Sequence, residues 1–210
     1  MARLSGKVTI ITGAAGGLGR VAALQFAREG SHIVVSDLID GQSAVDEIKS
    51  AGGSAAYIHA DVTSEDSWKE VVGFANSTFG RVDVLYNNAG VMLGEDDNPV
   101  TTPMSVYERT MDINVKGVLL GCKYAIPHMM EQGKGTIVNV ASFVAHMGAA
   151  TPQTRPASAG VRRRATPSAP ERAGWSLPRT AWSVRAPRSR GDPPARPGPG
   201  RVRRCGGGLP

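Results

Sequence analysis

The sequence predicts an α/β fold, a doubly wound parallel sheet that is truncated after its fifth strand and followed by a disordered basic tail. Three observations lead there. Apolar, β-branched runs alternate with amphipathic runs over the first 150 residues. A glycine-rich turn, Gly13 to Gly19, joins the first pair. The composition then changes abruptly near residue 150.

The elements follow in order. Lys7–Thr12 is apolar and β-branched and reads as a buried strand. Gly17–Glu29 reads as a helix with Leu18, Ala22 and Phe26 on its inner face, stopped by Gly30. His32–Ser36 is the second strand, Gly41–Ala51 the second helix, and Ala55–Ala60 the third strand. Thr63 and Asp66 have the spacing of a capping box. The helix after them carries Trp68, Val71, Val72, Ala75 and Phe79 on one stripe. Val82–Tyr86 is the fourth strand. Met104, Tyr107, Met111, Val118 and Cys122 mark a long helix from Pro103 to Glu131, closed by Gly133 and Gly135. Thr136–Ala141 is the fifth strand. Five strands alternating with four helices imply a parallel sheet covered on both faces and wound right-handedly.

Charge divides the chain at the same place. The whole carries +6, but residues 151–210 hold 13 Arg and no Lys against Glu171 and Asp192, which is +11 and leaves −5 for the first 150. The expected domains are therefore 1–150, an incomplete nucleotide-binding unit, and 151–210, a tail rich in Arg, Pro, Gly and Ala. No apolar run approaches the ~18 residues of a membrane span. The N-terminal residues lack the apolar stretch of a signal peptide. Cys122 and Cys205 stand far apart, without metal-ligand spacing. These features predict a reduced, cytoplasmic protein with no membrane partner and no metal. The methionines Met92, Met129 and Met130 read as packing residues, and His128 and His146 have no partner at catalytic or metal spacing.

Ligands in doubly wound sheets bind beyond the carboxyl ends of the strands, so the residues just after each strand carry the functional reading. After the first comes Thr12-Gly13-Ala14-Ala15-Gly16-Gly17-Leu18-Gly19. Its glycines let the backbone turn tightly against a pyrophosphate, whose charge the amides and dipole of the next helix favour. Asp37 follows the second strand. Alone it reads as a turn or N-cap residue; behind the glycine turn it reads as a carboxylate that accepts hydrogen bonds from adenosine ribose hydroxyls and repels a 2′-phosphate. The next residue is Leu38, and the turn contains no Arg or Lys, so the expected cofactor is NAD rather than NADP.

The spacing T-G-x-x-x-G-x-G resembles that of the short-chain dehydrogenase/reductase family, whose fold is Rossmann-like. Asp61-Val62, Asn87-Asn88-Ala89-Gly90, Asn114 and Ser142 match it further, in order, over residues 1 to about 150. The resemblance implies NAD-dependent oxidation of an alcohol or reduction of a ketone on a small-molecule substrate. It implies that Asp61 and Val62 contact adenine and that Asn88, Ala89 and Gly90 pass beside the adenosine ribose. Asn114 would perturb its helix and help hold a water in a proton relay, and Ser142 would hydrogen-bond the substrate oxygen. Taken singly, Asp61 and the Asn-Asn-Ala-Gly segment are ordinary turn sequences, Asn114 a half-exposed polar residue, and Ser142 a cap.

The resemblance also implies a tyrosine that moves the proton and, four residues on, a lysine that lowers its pKa and binds the nicotinamide ribose. An unperturbed phenol, with a pKa of about 10, is a poor base at neutral pH. At the family's usual spacing from Ser142 these positions fall on Arg155 and Ala159, and residues 151–210 contain no Tyr and no Lys. Eleven of the 14 prolines lie in this tail, and Ile, Leu, Val and Phe total five of its 60 residues, too few to offset the entropy of ordering it. The residue types it lacks are encoded mostly by AT-rich codons, which predicts a reading frame shifted near residue 150. Runs such as Arg162-Arg163-Arg164 would bind nucleic acid nonspecifically, and no specific nucleic-acid partner is expected. The family's homo-oligomer depends on a helix that this sequence lacks, so the truncation argues against it here. The expectation is an enzyme by descent with little or no activity, an exposed fifth-strand edge and marginal stability; the alternatives are a noncatalytic NAD-binding protein and, ranked after it, a nucleic-acid binder acting through its basic tail.

Overall fold

A computed structural model describes residues 2–97 and 100–142 and the backbone of 181–185. The elements are β1 (Val8–Thr12), α1 (Gly17–Arg28), β2 (His32–Asp37), α2 (Gln42–Ser50), β3 (Ser54–His59), α3 (Glu65–Phe79), β4 (Val84–Asn87), α4 (Met104–Met111), α5 (Gly117–Glu131), β5 (Lys134–Asn139) and β6 (Ala181–Arg185). A π-helical turn, Asp112–Lys116, joins α4 to α5. The sheet order is β3-β2-β1-β4-β5-β6, with β1 to β5 all parallel. The strand order reverses direction between β1 and β4, so the crevice for a ligand opens beyond Thr12 and Asn87.

Alternation along the strands separates two cores. Ile10, Val34, Leu85 and Ile137 face α3 and α5, where Trp68, Val71, Ala75, Leu120 and Met129 meet them. Ile11, Ile33, Val35 and Ala55 face α1 and α2, where Ala23, Ala44, Val45 and Ile48 cover them. The stripe expected on α3 is the observed one. Gly80 ends α3 at φ 79°, a left-handed position that glycine adopts without penalty.

Five local expectations change. Thr63 is not the cap of α3: its amide and hydroxyl both donate to Asp61 Oδ1 at 2.8 Å. Ser64 caps instead, its hydroxyl accepting from the Ser67 amide at 3.3 Å. The fully buried residues of α1 are Gly19 and Ala23, Gly19 where the helix passes closest to Gly13; Phe26 packs half-buried against the same core as expected, but Leu18 is 79% exposed. The long helix is interrupted, and the extra residue of the π turn shifts the helical phase. Met104 and Tyr107, placed on the expected stripe, are therefore exposed, while Gly117, Leu120, Gly121, Ala125 and Met129 are buried. Gly135 does not end a helix: it is a residue of β5 where a Cβ would strike the Met129 side chain. Of the other methionines, Met129 is packed as expected, but Met92 and Met130 are largely exposed.

The parallel set ends at β5, as the sequence implied. The β5 edge, however, is not open. Ala181–Arg185, inside the segment read as structureless, pairs antiparallel with it, Val138 opposite Ala181 and Lys134 opposite Arg185. Among the described residues nothing covers the β4–β5 face on the α1 side, which leaves a hollow of about 540 Å³ lined by Phe26, Val84, Thr136 and Val138 among others. It lies at the amino ends of the strands, away from the glycine turn. His146, Arg155, Ala159, the arginine run from 162 and Cys205 lie outside the described residues. No helix among the described residues is long and apolar enough to cross a membrane.

Candidate functional site

The site grows from the carboxyl end of β1. Thr12 is buried, and its hydroxyl accepts from the amides of both Asn88 and Ala89 at 3.0 Å. Asn88 returns the contact: its Nδ2 donates to the carbonyls of Thr12, at 2.9 Å, and Gly13, at 3.2 Å. The two glycine-containing segments are thus tied across the switch point by four hydrogen bonds. The closeness dictates the residue types. A Cβ on Gly19 would overlap the Gly13 carbonyl oxygen and come within 2.6 Å of Asn88 Nδ2. Gly13 itself sits at φ 65°, with Ala89 Cα 3.0 Å from where a Cβ would be.

Gly16 is the N-cap of α1 and no side chain caps the helix. Its first turn, beginning Gly17 and Leu18, contains no acidic residue, so the positive end of the helix is left for an external anion. Asp37, the last residue of β2, faces this turn. Its Oδ2 accepts from the Ala15 amide at 2.9 Å and its Oδ1 from the Ile39 amide at 3.2 Å. Arg20, the nearest basic residue in sequence, is turned onto α2, where its guanidinium donates to Glu47 and Ser43. The Tyr57 hydroxyl donates to the Ile39 carbonyl at 3.0 Å, and burial followed by the charges of Asp40 and Asp37 pushes its pKa up.

Further along the crevice, Asp61 is engaged by Thr63, and the Val62 carbonyl accepts from Trp68 Nε1 at 3.0 Å. The Val62 side chain lies against Gly117, where a Cβ would be only 3.0 Å away. Asn114 stands in the π turn. Its Oδ1 accepts from the Val91 amide at 2.8 Å and its Nδ2 donates to the Val91 carbonyl at 2.9 Å. An asparagine in an apolar helix signalled a perturbation; the structure gives its form, a wide turn stitched to the segment after Gly90.

Gly90, Asn114 and Ser142 meet around a cleft of about 440 Å³, with Leu18, Val91 and Met92 in its wall. Leu18, Asn88, Ala89, Gly90, Asn114 and Ser142 are therefore brought together, while Asp37 lies at the glycine turn and Asp61 on the far side of Val62. None of the chain's four tyrosines and none of its lysines lines this cleft. Thr12 and Asp96 were missed as site residues. Thr12 precedes the glycines directly, a position that could have marked it; nothing in the run Glu95-Asp96-Asp97 marks Asp96. His128 contacts Asn76 at 3.2 Å, away from the cleft.

Comparison with known proteins agrees with this geometry. The family model described as short chain dehydrogenase matches residues 7–159. An uncharacterized oxidoreductase of Thermotoga maritima is 41% identical over 145 residues, covering 68% of this chain and 56% of that protein. A cyclohexanol dehydrogenase of an Acinetobacter strain is 38% identical over 148 residues, 70% of this chain and 59% of the relative. The chain therefore spans little more than half the length of these relatives. Among solved structures, a short-chain type dehydrogenase/reductase from Mycobacterium marinum superimposes with a TM-score of 0.70 at 32% identity, over 74% of this chain and 64% of that one.

Proposed function

This chain belongs to the short-chain dehydrogenase family, and on that premise we propose that it binds NAD across the ends of β1, β2 and β4 and takes a small alcohol or ketone beside it. In this reading Gly13, Gly16, Gly17, Leu18 and Gly19 cradle the pyrophosphate, and Asp37 accepts from the adenosine ribose hydroxyls. Asp61 and Val62 flank the adenine, and Asn88, Ala89 and Gly90 run beside the adenosine ribose. When bound, the nicotinamide would give or take the hydride. The observation that carries the reading is the uncapped, acid-free start of α1 facing Asp37, with Arg20 occupied by Glu47. That arrangement attracts a pyrophosphate and, among the described residues, leaves Arg20 turned away from a 2′-phosphate.

Ser142 would hold the substrate oxygen, and Asn114 would shape the relay to solvent. The proton-transfer step lacks its group: no tyrosine or lysine lines the cleft, and Arg155 and Ala159 stand at the family's positions for them. Loss of general acid–base catalysis alone costs about 10²–10⁴-fold in rate. We therefore read the chain as a nucleotide-binding unit with little turnover, cytoplasmic and without a membrane or specific nucleic-acid partner. The named substrate of the Acinetobacter relative points to a ring alcohol as the substrate class. The test is a fluorescence titration with NADH and NADPH. Saturable NADH binding, with NADPH about tenfold weaker or more, is expected, and Asp37→Ala should narrow that preference. Equal affinities, or no saturation by either, would overturn the assignment.

A further inference from the structure

The polar side chains in the cleft wall divide into two sets. Asn88 is held by Thr12 and Gly13, Asn114 by Val91, and Asn139 accepts from Asn87 at 2.9 Å. Ser142 and Asp96 remain, and no hydrogen bond reaches either side chain among the described residues. Asp96 is the less expected of the two. It is only 3% exposed, and its Oδ1 is sealed from solvent without a partner. Its backbone is fixed by its amide, which donates to the Leu93 carbonyl at 3.2 Å. A buried carboxyl oxygen without a donor is costly, and such groups are rare unless something else supplies the partner. The rest of the wall near it, Val91, Met92, Val118 and Val140, is apolar.

We propose that Asp96 is a specificity-determining residue whose carboxylate accepts a hydrogen bond from a second hydroxyl of the substrate, so that the cleft selects an apolar ring carrying two hydroxyls over one carrying a single hydroxyl. Ser142 takes the oxygen that reacts, the apolar wall takes the ring, and Asp96 takes the hydroxyl that does not react. This rests on the reading of the cleft as the substrate site. A site built around a buried acceptor discriminates strongly against an analogue lacking the donor, because the acceptor is then left unpaired.

The test uses the full chain with NADH present and reads ligand binding by calorimetry, so it does not depend on turnover. The probes are cis-1,2-cyclohexanediol and cyclohexanol. The diol should bind about tenfold more tightly or better, the ratio expected for one hydrogen bond to a buried acceptor. Asp96→Leu should bring the two affinities within about twofold and, by removing an unpartnered buried carboxylate, should raise the melting temperature of the ligand-free protein. Asp96→Asn keeps one acceptor and should retain a reduced preference, which serves if the leucine variant does not fold. Equal affinities in the wild type, no binding of either probe, or variants that lose stability while keeping the preference would each overturn the assignment. NADH is titrated first: absent binding there removes the underlying reading, whereas normal NADH binding without diol preference removes only the role of Asp96.

Discussion

At the nucleotide end of the cleft, Thr12, Asn88 and Asp37 are each held by at least two hydrogen bonds, whereas at the other end the side chains of Ser142 and Asp96 have none among the described residues. The first end is preorganised: Thr12, Asn88 and Asp37 are already engaged, the glycines already crossed, and the uncapped start of α1 is fixed in place, so a ligand meets a surface that need not rearrange. The second holds polar groups in reserve for partners from outside. The difference teaches that the two ends draw on different parts of the chain. In the proposed reading the nucleotide end is drawn from the first 90 residues. The substrate end would draw on groups beyond Ser142, where the sequence has no tyrosine and no lysine.

The contrast can be broken most severely at Gly19. In Gly19→Val a Cβ is driven into the Gly13 carbonyl, which must push α1 off the sheet. NADH binding should fall by more than about a hundredfold, the equivalent of over 2.7 kcal/mol, with partial loss of the native circular dichroism. Binding within a few-fold of wild type would mean that the close crossing does not set the site. Thr12→Val is next. It leaves the amides of Asn88 and Ala89 without their acceptor, at a cost of about 2–3 kcal/mol in urea denaturation. An unchanged midpoint would show that the tie between the two segments is not structural.

Asp83 supplies a control at the opposite ends of the strands. Burial pushes its carboxyl up, but the Val8 amide, Arg81 and Lys7 together outweigh this and hold it below the usual range. A depressed folded pKa means stability that is present above the unfolded pKa of about 4 and is lost as pH falls through the folded value. Stability should therefore decline as pH falls below about 4, and Asp83→Asn should flatten that decline while leaving NADH affinity intact. Loss of NADH affinity in that variant would mean that the two ends of the sheet are coupled. The smallest effect is expected at Ser142. Since no group among the described residues bonds its hydroxyl, Ser142→Ala should change stability by under about 0.5 kcal/mol in the ligand-free chain. A larger loss would reveal a partner and remove it from the reserved set.

Much of the nucleotide end was legible because its signals are local. The glycine turn, Asp37 and Asn-Asn-Ala-Gly each lie at the carboxyl end of a strand, so strand order alone brings them together. Asn114 was legible as an irregularity in an apolar helix. What resisted reading depends on phase or on distant contacts. The face of α1 was misassigned at Leu18, which looks like a core residue, while glycine and alanine at 19 and 23 form the contact. The π turn shifts the helical phase, which no residue count across it could foresee. Thr63 and Ser64 are equally plausible caps until Asp61 takes the first. That Asp96 lacks a partner is a property of everything around it, not of its neighbours in sequence. The pairing of Ala181–Arg185 with β5 belongs to the same class, for its composition carries no strand alternation that the surrounding Arg and Pro do not obscure.

The asymmetry itself can be tested in one cuvette, by following NADH in the full chain as a cyclic hydroxyketone is added. The account predicts that NADH fluorescence first rises to saturation and that the reduced nicotinamide then persists, consumed no faster than about one part in 10²–10⁴ of the rate of a complete proton-transfer site. Rapid loss of the reduced nicotinamide would contradict it, because a working acid–base group would then have to lie among residues where neither tyrosine nor lysine occurs.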